Sequence, residues 1–423
     1  MFKTIKEAQT WIESVEKFGQ KYDLSRMEKA CALLNHPQRS FKSIHIAGTN
    51  GKGSTLAYLK ECLLAANYKV GTFTSPYIVH FNERITLNNV MIDDEDLLYY
   101  INYIYDFQKQ YLKTYYDQIT FFELLTLISF LYFKDHPCDV VLYEVGLGGS
   151  LDATNVITPL LSIITSVGYD HMGVLGDSLA SIAKNKLGIV KPKIPFITAI
   201  EQKSLKPLIK QTALKRGCDW TDITEASITI TQEAPLLTFK FEDTLYESRL
   251  LGKHQSKNAA LAITALKRLK SLGFTVSHEA IKSGIAKAFM PGRFERIERF
   301  NTVLDGAHNQ EGLKASLDTL KAVFPAEKKI IIFTVMADKD YVPMLAQLKA
   351  IDAQVIFTQI PTQRSEKAKH LYHQYDKPNK DYEPNYLKAY EKALRLKDED
   401  TMIYICGSLY FISMMRQAII NKA

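Results

Sequence analysis

The sequence predicts an α/β protein whose sheets are mainly parallel and which is divided into two domains. Apolar runs bounded by turn residues alternate with helical patterns along most of the 423 residues, which is typical of βαβ units. Short alternating segments at residues 225–250 favour a small antiparallel sheet. A break near Pro291 and Gly292 begins a second strand–helix series, so we expect domains at residues 1–293 and 300–423.

The predicted elements follow from the spacing of the apolar residues. Short apolar runs that end in turn residues predict strands, and apolar residues that recur every three or four positions predict helices. The predicted strands are residues 43–47, 69–74, 139–145, 161–167, 195–199, 302–304, 329–335, 354–359 and 402–406. The predicted helices are residues 56–64, 94–113, 121–134, 178–190 and 257–272.

Composition and charge favour a soluble globular protein and exclude several other classes. Hydrophobic residues make up 46% of the chain and charged residues 23%, and no apolar run reaches the about 18 residues of a membrane helix. The N-terminal segment lacks the apolar region of a signal peptide, and five scattered cysteines without a C-x-x-C pair indicate the cytoplasm. The net charge of +7 comes without a basic block, so we expect polyanionic small substrates and no nucleic acid.

A glycine-rich turn between the first predicted strand and helix predicts a phosphate-binding loop. Its backbone N–H groups and the helix N-terminus favour anions, and Lys52 reaches the terminal phosphates of a nucleoside triphosphate. The strict pattern G-x-x-x-x-G-K-[ST] is missed, because Ile46 occupies the first glycine position and Gly53 separates Lys52 from Ser54. An ordinary glycine turn is the alternative. The candidate phosphate-binding residues are Gly48, Thr49, Asn50, Gly51, Lys52, Gly53, Ser54 and Thr55.

Three further polar residues follow predicted strands, at the sheet edge where open α/β sheets bind ligands. Glu144 ends the strand at 139–145 beside a glycine-rich run and is placed like an acid that holds Mg²⁺. His171 follows the strand at 161–167, and Ser75 follows the strand at 69–74. The alternatives are a glutamate in a solvent salt bridge, a structural histidine and a turn serine before proline.

These motifs together resemble the Mur ligase superfamily, in its folylpolyglutamate synthase and dihydrofolate synthase branch. The resemblance rests on H-I-A-G-T-N-G-K-G-S-T, E-V-G-L-G-G-S-L-D-A-T-N and D-H-M-G-V-L-G-D-S, and continues through G-K-H-Q-S-K-N-A-A, P-G-R-F-E and D-G-A-H-N. In this order the motifs span about residues 43 to 410. The resemblance implies a Mur-ligase-type central domain with a P-loop, a mainly parallel sheet and a small antiparallel sheet, followed by a smaller Rossmann-like α/β domain.

The resemblance also assigns roles to individual residues. It implies that Ser75, Glu144 and His171 hold Mg²⁺, and that Lys52, Glu144, His171 and Lys186 serve catalysis. Lys186 matches a lysine that carries a carbamate in several relatives, although Asn185 stands where the family usually has Glu. A solvent-exposed helical lysine is the alternative. Further ATP contacts are implied for Asn258, Arg293, Asp305 and His308, and substrate contacts for Thr120, Phe121, Phe122, Glu123, Asp152 and Ala153.

The implied activity is an ATP- and Mg²⁺-dependent amide ligase. It would add L-glutamate to a reduced folate or to 7,8-dihydropteroate through an acyl phosphate, and the protein is expected to act as a monomer. The alternatives are a single folate activity, a Mur ligase acting on a UDP-sugar peptide, and a P-loop switch or motor protein. The motor class is less favoured because it needs no second domain that supplies Arg293, Asp305 and His308 to the nucleotide.

Overall fold

The computed structural model describes residues 1–16 and 23–420, and the chain divides there into two compact units. The first unit comprises the described residues of Met1–Val167, Leu175–Ala226 and Ala259–Gly284. The second comprises Gly168–Val174, Ser227–Asn258 and the described residues of Ile285–Ala423. No helix in the described part of the chain is long and apolar enough to cross a membrane.

The helices and strands alternate along the chain, as the apolar pattern predicts. The helices are α1 Ile5–Ser14, α2 Ser25–Leu33, α3 Lys52–Ala65, α4 Asp94–Tyr115, α5 Phe121–Asp135, α6 Met172–Leu175, α7 Leu179–Lys186, α8 Lys206–Arg216, α9 Lys253–Lys270, α10 His278–Lys287, α11 Gln310–Val323, α12 Val342–Lys349, α13 Ala368–Gln374, α14 Tyr386–Leu396 and α15 Leu409–Ile420. The strands are β1 Ser43–Ala47, β2 Val70–Phe73, β3 Ile85–Leu87, β4 Val90–Met91, β5 Val140–Glu144, β6 Leu161–Ile164, β7 Phe196–Thr198, β8 Trp220–Asp222, β9 Ile228–Gln232, β10 Leu237–Phe241, β11 Thr244–Ser248, β12 Glu295–Ile297, β13 Thr302–Asp305, β14 Lys328–Phe333, β15 Gln354–Gln359, β16 Lys380–Asn385 and β17 Thr401–Cys406.

The first unit is built on a sheet that, among the described residues, has eight strands in the order β4-β3-β2-β5-β1-β6-β7-β8. Six of these strands, β2, β5, β1, β6, β7 and β8, run parallel to one another. The other two, β3 and β4, form an antiparallel hairpin that extends the sheet beyond β2. Every residue of β1 and β5 is buried, as expected for central parallel strands. One apolar core joins α4 and α5 to β2 and β5, and another joins α7 and α8 to β6 and β7.

The second unit contains a six-stranded sheet, within the described residues, in the order β12-β13-β17-β14-β15-β16. Its strands are parallel except for β12, which is antiparallel to β13. A core of Leu304, Ile332, Ile356 and Ile405 packs with Phe411 from α15. The antiparallel strands β9, β10 and β11 form a separate sheet, which confirms the pattern read at 225–250.

The predicted fold class is confirmed, and the differences lie in short or polar elements. The strand predicted at 161–167 ends at Ile164, because the residues after it turn to the glycine-rich loop that follows β1. The helix predicted at 178–190 ends at Lys186 and continues as a 3-10 turn, Leu187–Ile189, around Gly188. The predicted helices at 56–64 and 257–272 begin earlier, at Lys52 and Lys253. Strands missed by the sequence reading are β3, β4, β8, β12 and β16.

Candidate active site

The glycine turn after β1 forms a loop that is fixed by the residues following the next strand of the sheet. The Thr49 N–H donates to the Ser166 carbonyl at 3.0 Å, and the Asn50 N–H donates to Ser166 Oγ at 2.9 Å. Thr165 Oγ1 donates to the Asn50 carbonyl at 2.6 Å. A Cβ on Gly48 would lie 1.8 Å from Thr165 Oγ1, so this close approach requires glycine.

The polar side chains of the loop lie at the N-terminus of α3. Lys52 begins α3, and its Nζ donates to the carbonyls of Gly48 at 3.1 Å and Thr49 at 3.4 Å, so the ammonium lies over the loop. Gly51 precedes it with a left-handed φ of 88°. Thr55 is buried in the first turn of α3, and its Oγ1 has no hydrogen-bond partner in the described part of the chain. A helix N-terminus with a nearby ammonium and an unsatisfied hydroxyl suits an anionic ligand and its counter-cation.

Glu144 and Ser75 meet at the carboxyl ends of the neighbouring strands β5 and β2. The Ser75 N–H donates to Glu144 Oε2 at 3.3 Å, and Glu144 is buried. The described residues contain no group of three or more His, Cys, Asp or Glu side chains arranged for a metal. A single carboxylate beside a hydroxyl-bearing residue nevertheless fits Mg²⁺, which prefers oxygen ligands and keeps water and phosphate oxygens in its coordination shell.

The glycine loop after Glu144 packs against the end of α7. Both the N–H and the Oγ of Ser150 donate to the Asn185 carbonyl, at 2.8 Å and 2.9 Å. A Cβ on Gly149 would lie 2.8 Å from the same carbonyl, so the contact depends on glycine. Asn185, which replaces the usual family Glu, also accepts the Ser150 N–H through Oδ1 at 3.3 Å. Lys186 is 4% exposed, which excludes the alternative of a helical lysine in solvent.

A buried relay joins this glycine loop to β1, the strand that leads into the phosphate loop. Asp152 accepts the Leu147 N–H at 2.8 Å and the Thr154 N–H at 3.0 Å, and the Thr154 hydroxyl makes a very short hydrogen bond to Asp152 Oδ1. His45 Nε2 lies 2.7 Å from the same hydroxyl. Because the hydroxyl hydrogen is directed to the carboxylate, its lone pair accepts from His45 Nε2–H.

The electrostatics of this relay follow from its burial. Burial lowers the pKa of His45 to about 3, helped by the charge of Lys191, so the ring is neutral. Burial raises the pKa of Asp152, and the hydrogen bonds from Thr154 and the loop amides oppose that rise. The Asp152 carboxylate is thus engaged in fixing the loop. Its neighbour Ala153 begins a 3-10 turn, and both substrate contacts stay predictions.

The predicted substrate segment lies at the start of α5 and is held by a residue that the sequence reading missed. The buried Arg26 donates from Nε to both carboxylate oxygens of Glu123, at 3.1 Å and 3.0 Å. Glu123 also accepts the N–H and hydroxyl of Thr120, each at 2.8 Å. The Phe122 ring lies against Gly146, where a Cβ would come within 2.5 Å of it. Phe121 faces the Arg84 guanidinium, 5.7 Å from its ring centre.

In the second unit, Asp170 is the centre of a polar cluster. Its carboxylate makes a very short contact with Lys339 Nζ, lies 3.5 Å from His308 Nε2 and accepts from Asn309 Nδ2 at 3.3 Å. His171 Nε2 lies 3.4 Å from Lys339 Nζ and 3.8 Å from Asp170 Oδ1. Burial alone would raise the pKa of Asp170, but the hydrogen bond and charge of His308, together with Lys339, hold it well below its usual range.

The remaining residues of the second unit predicted to contact ATP lie at the end of β13, on α9 and on the connection before β12. Asp305 at the end of β13 accepts the N–H groups of Ala307 at 2.7 Å and Phe294 at 2.9 Å. Burial raises its pKa, and the charge of Arg293 opposes the rise. Asn258 lies on α9 and donates from Nδ2 to Gln255 Oε1 at 3.0 Å. The sequence reading did not single out Lys339, although the run Asp338-Lys339-Asp340 after β14 is a cluster of charges at a strand end.

Comparison with family models covers most of the chain. The model of the Mur ligase middle domain matches residues 46–266, and that of the Mur ligase glutamate ligase domain matches residues 292–409. A dihydrofolate synthase/folylpolyglutamate synthase of Bacillus subtilis (strain 168) is 38% identical over 427 residues, which cover 99% of each chain. A folylpolyglutamate synthase of Lacticaseibacillus casei is 31% identical over 433 residues, 98% of each chain.

Solved structures show the same similarity. Escherichia coli FolC in complex with DHPP and ADP has a TM-score of 0.87 and 25% identity, and the match covers 99% of this chain and 98% of that one. A complex of a folylpolyglutamate synthase (FPGS) with AMPPCP and folate has a TM-score of 0.85 and 29% identity, covering 98% and 99%. These matches confirm the resemblance to the Mur ligase superfamily that the sequence motifs indicate.

Proposed function

The chain belongs to the Mur ligase family, in its dihydrofolate synthase and folylpolyglutamate synthase branch, and from this we propose that it adds L-glutamate to a folate-type carboxylate using ATP. The observation that carries the proposal is the loop over which Lys52 lies, with Glu144 and Ser75 in contact at the carboxyl ends of β5 and β2. These two strands and β1, which leads into the loop, are neighbours in one sheet. The groups that we propose to bind the phosphates and the cation therefore share one sheet edge.

The proposed reaction has two steps. A carboxylate oxygen of the acceptor attacks the γ-phosphorus of ATP, ADP leaves, and an acyl phosphate forms. The amine of L-glutamate then attacks the acyl carbon, phosphate leaves with the former carboxylate oxygen, and the amine loses a proton as the amide forms. Lys52 would stabilise the negative charge on the transferring phosphoryl group, because an ammonium fixed beside the loop needs little reorganisation.

The metal would be held by Ser75 and Glu144, and the family pattern adds His171 as a third ligand. Mg²⁺ would supply positive charge to the phosphate oxygens of ATP. The unsatisfied Thr55 hydroxyl lies in the first turn of α3, where P-loop enzymes use a hydroxyl toward the ion. Lys186, buried beside the glycine loop, is proposed to carry a carbamate; a native mass spectrum showing an unmodified Lys186 would contradict this.

The acceptor is proposed to be 7,8-dihydropteroate, a reduced folate, or both. The Bacillus subtilis relative, which is named for both activities, matches 99% of this chain, and the similar solved complexes hold DHPP or folate. The alternative of a UDP-sugar peptide is less supported, because the curated relatives that cover the chain are named for folate substrates. The small-molecule substrates would be the acceptor, L-glutamate and ATP, and the protein is proposed to act as a monomer.

The test is glutamate-dependent release of ADP from ATP, measured with dihydropteroate and with tetrahydrofolate as separate acceptors. We expect continued release over many turnovers only when acceptor, L-glutamate and Mg²⁺ are all present, and loss of amide formation in Lys52→Ala with the fold retained. Lys60→Ala is the matched control, since Lys60 lies on the same helix and pairs with Glu61 at 3.4 Å. A rate of ADP release that is the same with and without either acceptor, or full turnover by Lys52→Ala, would overturn the proposal.

A further inference from the structure

The turn that carries Arg293 in the second unit has a left-handed backbone on both sides of that residue. Gly292 has a φ of 66° and Phe294 a φ of 48°, a conformation that a phenylalanine seldom adopts unless its surroundings hold it. The Gly306 N–H donates to the Gly292 carbonyl at 2.8 Å, and the Phe294 N–H donates to Asp305 at 2.9 Å. Arg293 therefore extends from a turn whose shape depends on its contacts.

Glu295 supplies a further hydrogen bond to this turn. Its Oε2 accepts the Gly292 N–H at 2.8 Å, and both of its carboxylate oxygens accept from Arg416 Nε on α15, each at 2.9 Å. The side chain of Glu295 is 8% exposed and that of Arg416 is 18% exposed, so their ion pair is largely enclosed. A Cβ on Gly292 would lie 2.7 Å from Ile412 Cγ2, one helical turn before Arg416. Helix α15 thus contacts the turn through an ion pair and through packing.

The position of the turn decides where the Arg293 guanidinium lies. Its Nη1 is 3.4 Å from the place that a Cβ on Gly306 would occupy, and Leu409 Cδ2, at the start of α15, is 2.2 Å from the same place. The charge of Arg293 also opposes the rise that burial causes in the pKa of Asp305. The guanidinium therefore lies beside the D-G-A-H-N segment, which carries other residues expected to contact ATP.

We propose that Glu295 and Arg416 are positioning residues for Arg293. Their ion pair keeps the carboxylate on the Gly292 N–H, and this bond fixes the turn that directs the guanidinium to a phosphate of ATP. The inference rests on the proposed function, which gives Arg293 its contact with ATP. The sequence motifs end near residue 410 and the match to the glutamate ligase domain ends at residue 409, so neither assigns a role to Arg416.

The physical reason is that the buried carboxylate needs a cation, whereas the turn needs only an acceptor. Arg416→Met would leave the charge of Glu295 buried and unpaired, a costly state that the side chain leaves by turning toward water. The Gly292 N–H would then lose its acceptor. Glu295→Gln replaces the charge by an amide whose oxygen still accepts this N–H, so it should hold the turn without the arginine.

The test is binding of the ATP analogue AMPPCP with Mg²⁺, measured by calorimetry on full-length variants. A hydrogen bond to a charged group contributes about 10- to 100-fold in affinity, so we expect Arg416→Met to weaken binding by about tenfold. Glu295→Gln/Arg416→Met should bind like the natural chain, and Glu295→Ala/Arg416→Met as weakly as Arg416→Met. The two double variants lack both charges and differ in the acceptor, so they decide the matter even if Arg416→Met does not fold. Equal affinities of the two would overturn the proposal.

Two controls separate a positioning role from a general loss of stability. Lys328→Met removes an exposed ion pair of the same unit, with Asp398 at 2.6 Å, and should leave AMPPCP binding unchanged. When Arg293→Ala is already present, Arg416→Met should cause no further loss of affinity, because the guanidinium through which it acts is missing. A further loss in the Arg293→Ala chain would overturn the proposal.

Hydrogen exchange distinguishes failure of this inference from failure of the proposed function. Measured by mass spectrometry without nucleotide, the Gly292 amide should exchange slowly in the natural chain and in Glu295→Gln/Arg416→Met, and faster in Glu295→Ala/Arg416→Met. If Arg293→Ala leaves AMPPCP binding unchanged, the contact of Arg293 with ATP fails, while the exchange rates still decide whether Glu295 and Arg416 hold the turn. Equal exchange rates in the two double variants would overturn the proposal whatever the chain binds.

Discussion

Replacing Thr154 by valine tests whether the relay of Asp152, Thr154 and His45 fixes the first unit. Valine keeps the shape of the side chain but removes the hydroxyl that donates to Asp152 and accepts from His45. A hydrogen bond to a charged group contributes about 1.5–3 kcal/mol, and a buried donor left without an acceptor costs about 1–3 kcal/mol. We therefore expect the free energy of unfolding to fall by roughly 3–5 kcal/mol, a large part of a typical total of about 5–15 kcal/mol.

The assay is urea unfolding followed by tryptophan fluorescence. Both tryptophans of the chain, Trp11 and Trp220, lie in the first unit, so the signal reports that unit. Thr126→Val is the matched control, because the buried Thr126 hydroxyl donates only to a carbonyl of its own helix, at 2.8 Å, and its loss should cost less than about 1 kcal/mol. A Thr154→Val midpoint that equals the Thr126→Val midpoint would refute the reasoning.

Three further predictions concern the first unit. Because burial lowers the pKa of His45 to about 3, the unfolded chain takes up a proton below about pH 6.5 that the folded chain does not. The free energy of unfolding should therefore fall by about 2 kcal/mol between pH 6.5 and pH 5. His45→Gln should remove this dependence on pH, as measured by urea unfolding at each pH. Gly48→Ala places a Cβ against Thr165 and should weaken ADP binding, measured by calorimetry, by about 10- to 100-fold; unchanged affinity would contradict the loop geometry. Arg26→Met leaves the Glu123 carboxylate buried without its cation and should lower the fluorescence-detected stability by about 3–5 kcal/mol, whereas a loss below about 1 kcal/mol would show that the pair is dispensable.

The central strands could be predicted from the sequence because they are stabilised by burial of their own apolar side chains. β1 has the predicted bounds 43–47, and all its residues are buried between parallel neighbours. Edge strand β16, with the sequence K-D-Y-E-P-N, carries no such pattern, since its strand conformation depends on pairing with β15. The hairpin strand β4 is two residues long and exposed, so it has no buried apolar pattern that could predict it.

Some contacts of the candidate site could likewise be predicted from the sequence, and others could not. The contact between Ser75 and Glu144 follows from a local rule, because the carboxyl ends of adjacent parallel strands lie at one sheet edge. The pairing of Arg26 with Glu123 joins residues 97 apart, and that of Asp170 with Lys339 joins residues 169 apart. No spacing in the sequence specifies such partners; only the requirement that a buried charge be paired indicates that they exist.

The central claim is that one oxygen of the acceptor carboxylate passes to phosphate through an acyl phosphate. The most direct measurement uses 7,8-dihydropteroate, or a reduced folate, labelled with ¹⁸O in the carboxylate that reacts, together with L-glutamate, ATP and Mg²⁺. We predict one ¹⁸O in each released phosphate and one retained in each new amide. Phosphate without label, formed while the amide accumulates, would contradict the account.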